Sequence, residues 1–377
     1  MTRLGWDVTV VTQTQRQKSA HIQQLFHDSM CLILEPLIMA GKEGMEVAGG
    51  DGKVHLVFPI LACYIADYPK QCLVTCAKYG TCPRCTSGSL GDRGPGPPCT
   101  QQDTLVILSN GLAATTSDAQ FQRFCKEHLV SGGIQRPFWE GFPLCDIHLS
   151  ITPDVLHQLY QGVIKHMITW CLSLMDDEEL DHRVSTLPPY FGLRHFKGGW
   201  SRLSQISGKG RKDMACILLG CLVGKVPDPV ITCYRAFLNF IYLVQYPTHN
   251  DDSLNYMEDV LNLFYKHKHT LIDLRVREHL DILKFHSMVH YVESIKNFGT
   301  IDNYNTEMFE RFHIDMAKEG WKASNFRNEV PQMTCWLARQ EKVSIFQCYI
   351  QDRARDRITP HPFSTPTLSG TRPMISQ

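Results

Sequence analysis

The order of apolar and polar positions predicts a chain built mostly from helices. Residues 19–40 carry apolar side chains at helical spacing, with Ser19 placed to cap the helix and Pro36 expected to kink it or end it early. From about residue 117 to about residue 345 the helical period dominates. Within that region the spacing predicts apolar helices at roughly 213–225, 229–245, 253–267 and 273–297.

One stretch has instead the composition of a buried strand. Val54 to Ile65 is rich in apolar and β-branched residues and follows the glycine-rich break at residues 49–52. The strand leads to Asp67, where a sheet would present a carboxylate at its edge. The alternative is an ordinary turn aspartate before Tyr68 and Pro69, and the local sequence alone favours that alternative.

Turn and breaker residues divide the chain into segments, and the predicted fold class is α+β, predominantly helical. Thr152-Pro153-Asp154 opens one helix with a cap, a first-turn proline and an acid near its positive end. Another helix is expected to start near Asn303 or Asn305. The segments are an atypical N-terminus (1–18), a part with the strand and a cysteine pair (19–85), a glycine- and proline-rich loop (86–103), a helical region (104–285), a C-terminal region (286–345) and a tail expected to be disordered (346–377).

The bulk composition narrows the classes of function. The 377 residues include 38 lysines and arginines and 38 aspartates and glutamates, so any contact with DNA must come from local patches. No apolar run of about 18 residues is present, so a membrane span is not expected. The 15 cysteines are irregularly spaced and several lie in apolar runs, which predicts a reducing compartment, cytosol or nucleus, without a disulfide framework.

Two pairs of residues have the chemistry of metal ligands. Cys82 and Cys85 have the two-residue gap that lets two thiolates reach one tetrahedral zinc ion, although such a pair also arises by chance. His286 and His290 would share one face of a helix, and taken alone they are better interpreted as partly buried helix histidines. Ser287 stands where a zinc peptidase needs a glutamate, which disfavours that class. A Cys2His2 set would be closed and structural.

Two further sets suit phosphate chemistry. Glu307 and Glu310 share a helix face, and converging carboxylates bind hard divalent cations, whereas isolated helix glutamates are more often solvated. Residues 194–212, which we call the basic loop, suit a segment lying on phosphates, and a solvated loop is the slightly favoured alternative. A second basic stretch contains Lys266, Lys268, Arg275 and Arg277. The cations of the basic loop are Arg194, Lys197, Arg202, Lys209, Arg211 and Lys212.

Four stretches together resemble the Plavaka transposases of fungal genomes, which are related to the CACTA and Kyakuja-Dileera-Zisupton elements. The likeness covers roughly residues 20–345, and the long motifs are far more specific than a two-cysteine knuckle. The stretches are Leu61-Ala62-Cys63-Tyr64-Ile65-Ala66-Asp67-Tyr68-Pro69, Cys82-Pro83-Arg84-Cys85, Thr152-Pro153-Asp154-Val155-Leu156-His157-Gln158-Leu159-Tyr160-Gln161-Gly162 and Asp302-Asn303-Tyr304-Asn305-Thr306-Glu307-Met308-Phe309-Glu310-Arg311-Phe312-His313.

The resemblance implies a partial RNase H-like core, spread over residues 19–85 and 286–345 and interrupted by a long all-α insertion. It implies a catalytic set of two aspartates and a glutamate that uses Mg²⁺ or Mn²⁺, in which Asp67 matches the second aspartate. The distantly related vertebrate antigen-receptor recombinase has a similar order of motifs, which favours Glu310 over Glu307 as the glutamate. The same order implies one structural Zn²⁺ site formed by Cys82, Cys85, His286 and His290. Expected partners are transposon ends and target DNA, with a homo-oligomer in the nucleus.

The chain departs from the family pattern at its beginning. The first catalytic aspartate of the family lies on a strand well upstream of the helix at 19–40, and here Met1 to Lys18 stand in that region. Asp7 could imitate a strand aspartate, but only about seven residues follow Val11 before the helix, too few for two more strands. The expectation is a truncated, inactive copy of an Asp-Asp-Glu transposase. The alternative is a non-catalytic, zinc-stabilised DNA-binding or assembly protein derived from a transposase.

Overall fold

The computed structural model describes residues 14–50, 52–87 and 94–358, and these residues are predominantly helical, as the sequence predicts. The one sheet formed within this part of the chain is an antiparallel pair of strands. The finer prediction of an RNase H-like core therefore stays a prediction. Asp7, residues 88–93 of the glycine- and proline-rich loop and the tail beyond Ile358 lie outside the described residues. In the described ranges, no helix has both the length and the apolar character that a membrane crossing requires.

The elements fall into two compact units, one ending at Thr306 and the other starting at Glu307. The first unit contains α1 (Gln15–Glu43), β1 (Met45–Ala48), β2 (Val54–Val57), α2 (Tyr68–Val74), α3 (Gln101–Ala114), α4 (Asp118–Glu127), a 3-10 helix (Phe138–Gly141), a π-helix (Val155–Ile164), α5 (Lys165–Leu174), α6 (Asp177–Thr186), α7 (Gly208–Leu222), α8 (Asp228–Val244), α9 (Asp251–His267), α10 (Thr270–Asp273), α11 (Leu283–His286), a 3-10 helix (Ser287–His290), α12 (Tyr291–Phe298) and a 3-10 helix (Ile301–Tyr304).

The second unit is a short helical assembly with its own contacts. Trp321 and Phe326 lie with ring centroids 4.4 Å apart, and Gly320 packs against Trp336. Its last helix extends well past the predicted boundary at residue 345. The elements are α13 (Thr306–Phe312), whose first residue closes the preceding unit, a π-helix (His313–Lys318), α14 (Glu319–Lys322) and α15 (Glu329–Ile358).

Helix α1 begins earlier than the sequence pattern suggests. Thr14 caps it: the Thr14 hydroxyl accepts from the backbone N–H of Gln17, and the Gln17 side chain accepts from the N–H of Thr14. This reciprocal box satisfies two donors at the helix start and makes Ser19 an interior residue. The helix continues through Pro36 to Glu43, so the expected early end at Pro36 is wrong, while the alternative of a kink there stays a prediction.

The expected buried strand at 54–65 is a different structure. Only Val54–Val57 is a strand, and its four side chains are exposed in the β1–β2 hairpin. The chain continues without regular structure to Tyr64, which pairs in parallel with Ile151, and the Tyr64 N–H donates to the Ser150 carbonyl at 2.8 Å. The prediction of a buried strand over 54–65 is therefore wrong both in length and in burial.

The larger hydrophobic core lies between the helices from Val155 to Tyr304. Helices α8 and α9, predicted at 229–245 and 253–267, begin and end within two residues of those bounds. The aromatic rings of Phe237, Phe264 and Phe285 meet at centroid distances of 5.5 and 5.2 Å. The single helix predicted at 273–297 is wrong, because the chain forms two short helices separated by the 3-10 turn Ser287–His290.

A smaller core joins α1 to the segment that carries Asp67. His27 is fully buried, and its Nε2–H donates to the Leu73 carbonyl at 3.0 Å while its Nδ1 accepts from the Phe138 N–H at 3.2 Å. The Trp139 indole N–H donates to the Val74 carbonyl at 2.6 Å. These bonds satisfy the carbonyls at the end of α2 and fix α1 against it.

We predict that His27 makes the fold acid-sensitive. Burial lowers its pKa from the ordinary 6.5, while a hydrogen bond to Leu73 opposes that shift. Because the folded pKa is the lower one, the stabilisation is fully present above the unfolded pKa and is lost as pH falls towards the folded pKa. In urea unfolding between about pH 7 and pH 5, His27→Gln should lose less free energy of unfolding than the unmodified chain. Identical pH slopes for the two proteins would contradict this.

Candidate metal centre

Four side chains that are far apart in sequence form one buried cluster. Cys82 and Cys85 lie on the turn that follows α2, His286 ends α11, and His290 ends the following 3-10 turn. All four are buried, and one ligand atom from each lies within 4.8 Å of the others. The cluster links positions up to 208 residues apart. The structure thus brings together the two pairs that the sequence could relate only through the family order.

The distances fit a tetrahedral ion. Cys82 Sγ lies 3.3 Å from His290 Nε2, and Cys85 Sγ lies 3.1 Å from His286 Nε2 and 3.6 Å from His290 Nε2. Zinc–sulfur and zinc–nitrogen bonds of about 2.3 and 2.0–2.1 Å at the tetrahedral angle place sulfur and nitrogen about 3.5 Å apart. Both imidazoles present the same nitrogen, Nε2, to the centre. Small shifts would therefore complete the coordination.

The electrostatics of the cluster favour a cation. The hydrogen bond from Cys82 lowers the pKa of Cys85, and bonds from His286 and His290 act in the same direction. That same pairing, together with burial, raises the pKa of Cys82. Burial lowers the pKa of His290 and keeps its imidazole neutral, the form that binds metal. A buried thiolate facing imidazole nitrogens is stabilised by a metal cation, which also displaces the remaining thiol proton.

The cysteine turn is held in shape by the residue after Asp67. The Tyr68 hydroxyl accepts from the Gly80 N–H at 2.7 Å and donates to the Thr81 carbonyl at 3.1 Å, directly before Cys82. The Arg84 N–H points at Cys82 Sγ at 3.4 Å. The hydroxyl therefore fixes the entry of the turn, and the backbone turns its N–H towards the sulfur, which lowers the energy of a thiolate there.

Arg84 connects this turn to α12, the helix that follows His290. Its buried guanidinium donates to the Ser294 hydroxyl and pairs with Glu293 at 2.9 Å. Ser294 in turn donates to the carbonyl of His290 at 2.8 Å. Arg84, one of the two residues between the cysteines, is thus linked through Ser294 to the backbone of a histidine ligand.

His148 supports the same turn from the other side. Its Nδ1–H donates to the Pro83 carbonyl at 2.6 Å, and its Nε2 accepts from the Thr104 hydroxyl at 2.7 Å. Burial lowers the pKa of His148, in keeping with a neutral ring that both donates and accepts. No spacing rule in the sequence relates His148 to Cys82 or Cys85, so sequence reasoning missed it.

A second buried polar network centres on Asp154, which the sequence marked only as a helix start. Its carboxylate is 1% exposed and accepts from the Leu156 N–H at 3.0 Å, the Thr306 hydroxyl at 2.6 Å and His157 Nδ1 at 2.6 Å. Asp154, rather than Thr152, is the cap of the helix. One carboxylate therefore fixes the start of the π-helix and also holds Thr306, the first residue of α13.

The two proposed catalytic acids occupy different surroundings. Asp67 caps α2 by accepting from the Lys70 N–H at 3.2 Å. Gln71 donates to the carbonyls of Ala66 and Thr152, so the segment before Asp67 runs beside the segment before Asp154. Glu310 is an exposed residue of α13 in the second unit.

Two carboxylates from outside the basic loop, those of Asp181 and Asp213, bond to residues within it. The Lys209 ammonium lies 3.0 Å from both oxygens of Asp213, and Asp181 accepts from the N–H groups of Trp200 and Ser201 at 2.6 and 3.0 Å. Arg194, Lys197 and Arg202 are exposed, like Lys209, whereas Arg211 and Lys212 are partly buried. In the second basic stretch Lys268 is buried.

We predict that the purified chain contains roughly one zinc ion, because four buried soft and borderline ligands form a closed tetrahedral set. Elemental analysis of the chain should find it, and Cys82→Ser combined with His290→Ala should lose it and unfold at lower urea. The matched control combines Cys335→Ser with His182→Ala, both exposed residues, and should retain the metal. A fully folded, metal-free protein would refute the assignment.

We also predict that Asp154→Ala lowers the free energy of unfolding by about 3 kcal/mol, since it leaves buried donors without an acceptor. The control is Asp176→Ala, which removes an exposed cap with the same i+2 bond and should cost only about 1 kcal/mol. Urea unfolding measures both. Equal losses would show that the Asp154 network contributes no more than an ordinary cap.

Comparison with known proteins adds one finding. Residues 7–171 match the family model described as Plavaka transposase, which confirms the resemblance over this part of the chain. The match includes Asp67, Cys82, Cys85 and the Asp154 motif, and it ends before the histidine pair and Glu310. No curated protein matches the chain significantly.

Proposed function

We propose that the chain is a DNA transposase of the Asp-Asp-Glu class, because residues 7–171 match the Plavaka transposase model. Such enzymes cleave phosphodiester bonds at transposon ends and join the freed 3′-hydroxyl to target DNA. The family match is the observation that carries the proposal. DNA ends and target DNA are the partners, and the chain acts in the nucleus as a homo-oligomer.

In this proposal Asp67 and Glu310 are two of the three catalytic acids. The placement of Asp67 supports its role: it follows an extended segment that runs parallel to the segment of Ile151, and neighbouring parallel segments bring their carboxyl ends together. Carboxylate oxygens are the ligands that Mg²⁺ and Mn²⁺ prefer. The ions would activate water and then the 3′-hydroxyl for attack on phosphorus.

The zinc site has a structural role in the same proposal. A closed Cys2His2 set leaves no open position for substrate. The ion would tie the cysteine turn after Asp67 to the end of the helical insertion, some 200 residues later in the chain. It would thereby hold the segment of Asp67 against the segment that precedes α13.

The alternative is a non-catalytic, zinc-stabilised DNA-binding or assembly protein derived from a transposase. The observation that favours it is the number of catalytic acids assigned within the described residues. Two ions about 3.5–4 Å apart need one carboxylate that bridges them besides an outer ligand for each. Asp67 and Glu310 are the two acids assigned within the described residues, and Asp7 lies outside them.

We predict that the chain binds duplex DNA, and that nicking it needs a third carboxylate besides Asp67 and Glu310, because two-metal chemistry requires one ligand shared by both ions. The assay uses a duplex with the terminal sequences of the element that encodes the chain, in Mg²⁺ or Mn²⁺. Asp7→Ala, Asp67→Ala and Glu310→Ala are compared with Asp118→Ala, an exposed control acid at the start of α4.

Nicking that Asp67→Ala and Glu310→Ala both abolish would establish an active transposase and refute the expected inactivity. Loss of that nicking in Asp7→Ala as well would identify Asp7 as the third acid. A chain that neither binds nor nicks DNA would refute the proposed function together with its alternative.

A further inference from the structure

A group of cations outside the predicted sites converges where the π-helix continues into α5. Lys165 and His166 are the first residues of α5, and Lys284 lies on α11, which packs against the π-helix. The Lys284 stem crosses Gly162 so closely that any side chain at Gly162 would collide with it. Arg277 is near enough for its charge to act on His166. We call the four residues the junction cluster: Lys165, His166, Arg277 and Lys284.

The junction cluster is a group of like charges. Burial lowers the pKa of His166, and the further causes are the positive charges of Lys284, Arg277 and Lys165, in that order. Glu278, the exposed acid that follows Arg277 in the sequence, is not among the charges that shift this pKa. Among the described residues, the ion pairs found do not involve any member of the cluster.

The cluster is accessible and partly preorganised. Lys165 and Arg277 are exposed, and His166 and Lys284 are half-buried. The His166 ring stacks on the buried Trp170 at 5.7 Å, and the Lys284 stem is confined against Gly162. A ligand therefore meets cations whose positions are already restricted, which reduces the conformational entropy lost on binding.

One carboxylate, that of Asp154, acts on a member of the cluster. Asp154 acts on Lys284 through space, but its oxygens already accept from Leu156, His157 and Thr306. The basic loop differs in this respect, because Asp213 binds Lys209 directly. An approaching polyanion therefore displaces no internal partner from the junction cluster, whereas at Lys209 it must compete with one.

We propose that the junction cluster binds the phosphodiester backbone of duplex DNA. That the ligand is DNA, and no other polyanion, rests on the proposed function. Neighbouring phosphates relieve the repulsion among these cations, and binding releases the counterions condensed on the DNA. Contacts of this kind position the duplex without reading its sequence. The site would hold DNA beside the π-helix that Asp154 caps.

The test is DNA binding across a salt series with a labelled duplex of arbitrary sequence. Lys165→Ala combined with Arg277→Ala removes two exposed cations and leaves Lys284, which is close to His286, in place. Each lost phosphate contact lowers the slope of log affinity against log salt by about 1, so the double variant should lose a slope of about 2. Zinc content and circular dichroism check that it is folded.

Two matched double variants serve as controls. Lys165→Arg with Arg277→Lys keeps both charges and should restore the slope. Lys225→Ala with Lys322→Ala removes two lysines that already pair with Glu179 and Glu319, and it should leave the slope unchanged. A third comparison, Lys209→Ala with Arg211→Ala and Lys212→Ala, tests the basic loop.

An unchanged slope in the Lys165→Ala, Arg277→Ala variant would overturn the inference while leaving the proposed function intact, and a slope lost only in the basic-loop variant would place the DNA there. Absence of DNA binding by the unmodified chain would instead refute the proposed function. A slope lost equally in the Lys225, Lys322 control would show a general charge effect and would also overturn the site.

Discussion

The structure depends most on the contact between Cys82, Cys85, His286 and His290. It joins a turn in the first quarter of the chain to a helix end some 200 residues later, and both cysteines and both histidines are buried. Without a cation, the cluster leaves a thiolate and two imidazoles in a site from which water is excluded, an arrangement that costs free energy. A bound tetrahedral ion would remove that cost. Its binding free energy would stabilise the folded chain, because the four ligands meet only in the folded state. The contacts of Arg84 with Ser294 and Glu293 join the same two segments, the cysteine turn and the helical segment that follows His290.

Sequence patterns predicted some parts of this arrangement and could not predict others. Helices α8 and α9 follow the apolar period because each buries one broad face, so their bounds were predictable. The same period fails at 273–297, where the 3-10 turn Ser287–His290 interrupts a regular helix. Local spacing favoured separate interpretations of the cysteine and histidine pairs, and only the family order related them. That relation is a long-range contact, which no local propensity encodes.

Polar networks were the least predictable feature, because their partners come from distant segments. Asp154 was visible as a helix start, but the Thr306 hydroxyl that it accepts from is 152 residues further along the chain. The basic loop was identified from its cations alone, yet the Asp181 carboxylate accepts from its backbone at Trp200 and Ser201. Charge counted along a sequence therefore overestimates the field that a ligand meets. The Lys165 and His166 pair was overlooked for the converse reason, since its partners Arg277 and Lys284 join it only in the fold.

The two kinds of metal in the proposal need different ligands and different surroundings. Thiolates and imidazoles suit zinc, a closed set of four excludes water and substrate, and such a site needs burial. Carboxylates suit Mg²⁺ and Mn²⁺, which keep water and bind substrate phosphates, and such a site needs exposure. The Cys2His2 cluster is buried, whereas Asp67 is half-buried and Glu310 is exposed. Tyr68 follows Asp67 directly, and its hydroxyl bonds hold the turn before Cys82. The position of the cysteine turn therefore affects the position of the Asp67 backbone through the Tyr68 side chain. Zinc would then contribute to catalysis only by fixing backbone, and a chain that had lost phosphodiester cleavage would still need it in order to fold and to bind DNA.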